Sequence, residues 1–267
     1  MGFISRVDYN TFLIGGDRKW YAEQGQWWTK FKIYSDWDIS HNDNDELIEK
    51  EFDINAQLSA LYESYFRLSY THRDRVGSRI DQSSLDIDGN TTLFTEDKFS
   101  FFGEVKPMLG LYLNTQLTYG DEIDFANNRL GTVKQFRPTI NWNVNKHLEI
   151  KLKQTMRQLD ANGANVFIAR LTDFRATYQF NVLSYVRFSI IYNNTHRNVD
   201  NYIYSDPEDI ESHSKDFSTE LLYAYKINPK TVFYLGYSDH HAAEEDFSDL
   251  EQDQRRVFMK FSYAWIQ

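Results

Sequence analysis

The sequence predicts an all-β chain of about 13–14 antiparallel strands that forms part of the wall of a larger transmembrane β-barrel. Three observations carry this expectation. Apolar and polar residues alternate with period two in segment after segment, the mark of strands with one apolar and one polar face. Short and long connections alternate along the chain. Ionisable residues in mid-segment keep to one face. The segments begin near Asn10, Trp27, Leu47, Ser64 and Lys98. In LGLYLNTQLTY, Leu111, Leu113, Leu117 and Tyr119 then oppose Tyr112, Asn114, Gln116 and Thr118. After a segment near Lys134, HLEIKLKQTM sets Leu148, Ile150, Leu152 and Met156 against Glu149, Lys151, Lys153 and Thr155. Another begins near Phe167. YVRFSIIYN sets Val186, Phe188, Ile190 and Tyr192 against Arg187, Ser189 and Asn193, and FSTELLYAYK sets Phe217, Leu221, Tyr223 and Tyr225 against Ser218, Glu220 and Lys226. A segment near Thr231 leads to the last, RRVFMKFSYAWIQ, with Val257, Met259, Phe261, Tyr263 and Trp265 on one face and Lys260, Ser262 and Ala264 on the other. Each spans roughly 10–13 residues, and a tilted strand crosses a bilayer in about 9–11.

Composition narrows the class. The chain has 267 residues and a formal net charge of -10, with 18 Tyr, 20 Phe, 6 Trp, four prolines and no cysteine. Its mean hydropathy is -0.61. No run of about 18 apolar residues occurs, which excludes a membrane-spanning helix. Tyr and Phe at this density favour a pleated, half-buried surface. The lack of cysteine removes thiolate chemistry and suits an oxidising export route. The acidic balance argues against nucleic acid as a partner. MGFISRVDYN has no basic stretch followed by an apolar one, so either the chain stays in the cytoplasm or it is a piece of something longer.

Connection lengths orient the strands. Short turns are expected at 22–26, 105–109, 143–147, 180–184 and 227–231, and long polar, acidic connections at Gly77 to Glu96, Gly120 to Gly131, Arg197 to Lys215 and His240 to Gln254. Short turns at one rim and long loops at the other is the plan of an outer-membrane barrel. On that plan the last strand descends to the periplasm, with Tyr263 and Trp265 in the aromatic girdle, and the strand near Asn10 also descends. A strand pair inside Gly77 to Glu96 would preserve this parity; an ascending strand at Phe3 to Asp8 would make the count even.

NPKTVFYLGYSD (228–239), QRRVFMKFSYAWIQ (254–267) and GFISRVDYNTF (2–12) resemble motifs of a family of Gram-negative outer-membrane barrel domains of uncharacterised function that follow a carbohydrate-binding family 9-like domain. The resemblance implies an outer-membrane location with the long loops outside. It also implies a C-terminal portion whose missing N-terminal strands, or another chain, complete the barrel. Barrel proteins generally have their C-terminal aromatic strand, here Phe261, Tyr263 and Trp265, read by the assembly machinery. No catalytic residues carry over, and the hydrolase labels common in the family find no supporting residues here.

The candidate functional surface is the polar face: Lys30, Lys32, Arg67, Glu104, Arg137, Glu149, Lys151, Lys153, Asp173, Arg175, Arg187 and Glu220, joined by Asp36, Asp53 and Lys260. About thirteen strands would enclose a lumen too wide for side chains to fill, so these residues are expected to line water and the apolar face to meet lipid. Such a wall tunes solute selectivity; mutual neutralisation is the competing reading. DIDGN offers Asp86, Asp88 and Asn90 as the opening of a calcium loop, with Asp97 where a glutamate belongs; an acidic turn explains it more simply. His240, His241, Glu244 and Glu245 are a weaker metal set. No cofactor and no enzyme activity are expected. The expected function is a conduit or a scaffold holding a partner, with a surface platform for a glycan-binding domain as the alternative.

Overall fold

The computed structural model describes residues 9–203, 209–228, 231–243 and 251–263. They form one antiparallel sheet of thirteen strands paired in chain order. The strands are β1 (Tyr9–Tyr21), β2 (Trp28–Asn42), β3 (Leu47–Ala60), β4 (Ser64–Val76), β5 (Leu93–Met108), β6 (Leu111–Asp124) and β7 (Arg129–Asn143), then β8 (Leu148–Ala161), β9 (Ala164–Asn181), β10 (Ser184–Arg197), β11 (His213–Asn228), β12 (Thr231–Ala243) and β13 (Glu251–Tyr263). No described helix is long and apolar enough to cross a membrane. The expected strand count and antiparallel order stand. Among the described residues β1 pairs only with β2 and β13 only with β12, so the sheet is open at both edges and does not close on itself into a barrel. No strand pair interrupts residues 77–92, and Phe3 to Asp8 lies outside the described residues.

Register decides which faces join. Because side chains alternate at every residue, a slip of one position anywhere would turn the apolar set of the following strands over. No such inversion occurs. Ile14 meets Trp37, which meets Phe52. Further on, Leu111, Trp142, Ile150, Ala176, Phe188, Leu221, Tyr237 and Val257 follow one another across eight strands. The bulges at Ser184/Tyr185, Lys226/Asn228 and His240/His241 sit near strand ends and leave the two faces intact. Pro138 in β7 cannot donate to the ladder; it faces Thr115 of β6 and has no paired partner on β8.

The apolar band runs obliquely to these rows. Starting mid-band at Ser35, between Ile33 and Trp37, the row passes Ile54, Tyr70, Phe99, Tyr119, Lys134, Gln158, Ile168 and His196 and ends at His213. On β11 the band is centred near Leu221, eight positions along from His213. The band has thus drifted by about one residue per strand, so the strands are staggered.

The turns sort into two rims. Connections 22–27, 61–63, 109–110, 144–147 and 182–183 are short and share one rim, while 77–92, 198–203 and 209–212 lie at the other. One expected long loop is corrected. Gly120 to Gly131 is not a loop: β6 and β7 run on past the neighbouring β5 pairing and turn at 125–128. Gly120 makes this possible; its φ is +142, and a Cβ there would come within 2.2 Å of the Asp97 carbonyl oxygen. β8 and β9 turn on Asn162 and Gly163, with φ 55 and 76, the paired positive angles of a tight hairpin whose twist matches its strands.

Candidate functional site

Every residue of the expected polar set belongs to the same face of the sheet. Lys30 and Lys32 lie opposite Ser59 and Gln57, Arg67 opposite Gln57 and Phe102, and Glu104 opposite Tyr65 and Asn114. Arg137 faces Gln116; Glu149, Lys151 and Lys153 face Thr177, Arg175 and Asp173; Arg187 and Glu220 sit opposite Leu222 and Ser189. Asp36, Asp53 and Lys260 share that face. Phe261 and Tyr263 are exposed on the other, apolar face, and Trp265 lies outside the described residues.

The polar face is not uniform. On β1–β6 acids prevail: Asp17, Asp36, Asp38, Glu49, Glu51, Asp53, Glu96, Glu104 and Glu122 accompany Lys19, Lys30, Lys32, Arg67, Arg73, Arg75 and Lys98. On β7–β13 bases prevail: Arg137, Lys151, Lys153, Arg157, Arg175, Arg187, Arg256 and Lys260 accompany Glu149, Asp173 and Glu220. The two halves also differ in pairing. In the acidic half most cations are matched: Arg73 bonds Glu96 at 2.6 Å and lies within 3.6 Å of Glu49 and Glu51, Lys98 lies 3.7 Å from Glu96 and Glu122, and Lys32 lies 3.8 Å from Asp17. In the basic half Lys151 pairs with Glu149, Arg157 with Glu122 and Arg187 with Glu220. Among the described residues, Arg137, Lys153 and Arg175 have no carboxylate within ion-pair distance. The Nε atoms of Arg137, Arg175 and Arg187 are buried and have no hydrogen-bond acceptor.

A hollow of about 470 Å³ opens on the basic half. Arg175, Arg187 and Glu220 bound it with Ser189, Ser218, Ser238, His240 and Gln254. Ser218 Oγ and His240 Nδ1 are 2.8 Å apart, and Arg187 Nη2 donates to Glu220 at 3.0 Å. Charge, hydroxyls and an amide therefore converge on one concave surface, a more polar lining than most small-molecule sites have.

The long-loop rim is folded rather than loose. Residues 198–203, with a 3-10 turn at Val199–Asn201, lie over β7–β9. Asn201 Nδ2 donates to the carbonyls of Ala161, Ala164 and Asn165 at 3.0–3.3 Å, and Arg129 donates back to Asn201 Oδ1 at 3.0 Å. Asn127, 1% exposed, accepts from the Ile203 N–H at 2.7 Å. Beneath lies a small core of Val133, Leu159, Ala161 and Val166, packed by Phe167 and Tyr202, and burial there pushes the Tyr202 phenol up from its ordinary value. Neither this core nor the Arg73–Glu96 cluster was marked by the sequence pattern; a run of asparagines at 127, 128, 198 and 201 was the available signal for the folded loop.

The residues of the DIDGN stretch are engaged with one another and with the neighbouring turn. Asn90 turns its side-chain nitrogen toward the carbonyls of Asp81 and Asp86, at 3.2 and 3.1 Å, so an N–H donor stands where a cation would need an oxygen. Asp86 accepts from Asn44 and Ser84, and the Asp88 N–H donates to Glu46. These residues stitch the 77–92 loop to the β2–β3 turn. Two bonds from Ser83, through its hydroxyl and its N–H, hold the Asp81 carboxyl below its usual range. His240 and His241 point to opposite faces, one to Ser218 and the other toward Phe217, and Glu244 and Glu245 lie outside the described residues. No group of three or more metal-ligating side chains occurs among the described residues.

No family model and no curated protein matches the chain. The likeness described above rests on its three motifs alone.

Proposed function

We propose that this sheet is a portion of the wall of an outer-membrane β-barrel and that its charged face lines a water-filled conduit or a chamber holding a partner. The observation that carries this reading is the unbroken apolar face. It is open to its surroundings across thirteen strands, with Phe12 at 59% exposure, Leu68 at 57% and Met259 at 74%. A soluble monomer rarely exposes an apolar patch beyond a few hundred Å², and lipid is the solvent that such a face needs.

Three features support it. A drift of about one residue per strand, at about 3.3 Å per residue and 4.8 Å between strands, corresponds to a tilt of about 35°, at the lower end of the 35–45° of membrane barrels. On β11 the band from Phe217 to Tyr225 extends about 26 Å along the strand, close to the ~25 Å apolar height of such barrels. Rings mark its two borders: Trp37, Phe52, Tyr70, Phe99 and Tyr119 toward the long-loop rim, and Trp20, Phe31, Phe66, Trp142 and Tyr178 toward the other.

The open edges follow the same logic. Unpaired N–H and C=O groups along β1 or β13 would cost several kcal/mol each in hydrocarbon. Further strands, from the same polypeptide or another chain, therefore close the barrel. Its partners are outer-membrane lipid and the barrel assembly machinery. The folded rim at residues 77–92 and 198–203 favours a second reading, a surface platform carried by a plugged barrel.

Two measurements separate these. The protein should fractionate with outer membranes and resist carbonate extraction; recovery as a soluble monomer without detergent would refute the lipid-facing assignment. In planar bilayers a conduit gives stable unitary conductance, whereas silence with intact membrane insertion would favour the platform.

A further inference from the structure

We infer that the hollow on β9–β13 binds the carboxylate of an acidic saccharide, which makes the basic half of the charged face its track. This rests on the conduit reading only for the route of arrival; the site itself stands on its own geometry. Arg175 is the anchor. Among the described residues it has no carboxylate partner, and its Nε–H is buried without an acceptor, a donor left unsatisfied by the fold itself. Arg187 presents a second buried, unpaired Nε–H, while its Nη2 neutralises Glu220, so that carboxylate does not repel the ligand.

The rest of the lining is hydroxyl- and amide-rich, with one further carboxylate, Asp239, already engaged by Tyr237 Oη at 3.0 Å and Gln252 Nε2 at 2.9 Å. Ser189, Ser218 and Ser238 come from three adjacent strands, and His240 and Gln254 complete the surface. Ser218 and His240 already bond each other; a bare inorganic anion would leave Ser189 and Ser238 unused, whereas a hydroxyl-rich carboxylate engages the guanidinium groups and the hydroxyls together. A peptide carboxylate lacks the hydroxyls. The volume of about 470 Å³ fits sugar-sized ligands within the range of small-molecule sites. The approach carries further cations: Arg137, Lys153 and Arg175 stand on successive strands along a diagonal, two positions on at each step and so about 7–8 Å apart, and a polyanion meets a further cation at each strand.

The test uses calorimetry on the protein extracted from outer membranes in detergent, with three probes: a trimer of galacturonic acid, a neutral galactose trimer and triglutamate. The uronate trimer should bind, and the other two at least tenfold more weakly. Arg175→Gln should weaken the uronate at least tenfold, Ser218→Ala several-fold, and Arg67→Gln, in the acidic half, not at all. Heat-modifiable migration on gels verifies that each variant is folded. Equal binding of the neutral trimer or of triglutamate, or an Arg175→Gln variant that binds normally, overturns the proposal. Uronate binding with no conductance would remove the conduit and leave the site standing; conductance without uronate binding would do the reverse.

Discussion

Leu152 and Lys153 are neighbours on β8, yet they belong to surfaces built on different principles. Leu152 lies between Ile140 and Phe174 in an apolar face with the same character from β2 to β13. Lys153 lies between Thr139 and Asp173 on a face whose charge changes from one half of the sheet to the other. Uniformity is what a fluid, featureless solvent asks for: any apolar side chain of moderate size will do. Patterning is what a recognised ligand asks for, since specific cations must stand unpaired at specific places. On the function proposed above, the contrast separates the face turned to the membrane from the face turned to a cargo.

The largest effect is expected from crossing that boundary. Leu152→Arg places a cation in the middle of the apolar band and should cost about 2–4 kcal/mol of folding free energy. Lys153→Leu should stay within about 0.5 kcal/mol. Denaturant titration of the lipid-reconstituted protein measures both, and equal costs would mean that the faces are misassigned.

A smaller effect tests whether the charged face is loosely packed. Gly236 of β12 lies under the ring of Phe258, and a Cβ there would stand 2.2 Å from the ring tip. Overpacking of this kind typically costs 1–3 kcal/mol; here the ring can swing into open space, so Gly236→Val should cost about 1 kcal/mol. A loss above about 3 kcal/mol would indicate a dry, close-packed interior instead of a wet one.

The smallest effect is local and depends on pH. His213 stacks on His196 with ring centres 3.7 Å apart beyond the apolar band, and its Nε2 meets Asn194 Oδ1 at 2.9 Å. Burial first, then the charges of His196 and Lys215, lower its pKa from 6.5. A depressed histidine resists protonation in the folded state, so its contribution is intact above pH 6.5 and is lost as pH falls from there through the folded value. Amide exchange at 194–197 and 213–215, corrected for intrinsic rates, should quicken between pH 7.5 and 5, and His213→Gln should flatten the change. Equal protection at both pH values would sink it.

The strands, their faces and the membership of the charged set were legible in the sequence, because alternation is fixed by the backbone of each strand and needs no partner to be read. The stagger and the hollow were not. The drift of the band appears only when registers are followed from Ser35 to His213. The unpaired state of Arg175, and the meeting of three serines from β10, β11 and β12, required side chains brought together across the sheet. Gly120 to Gly131 reads as a polar loop by composition, but a glycine at φ +142 lets two strands continue. The folding of residues 198–203 was decided by amide groups acting over long separations, such as the Ile203 N–H on Asn127. Composition says that such groups are polar; only the assembled fold supplies the partners that satisfy them.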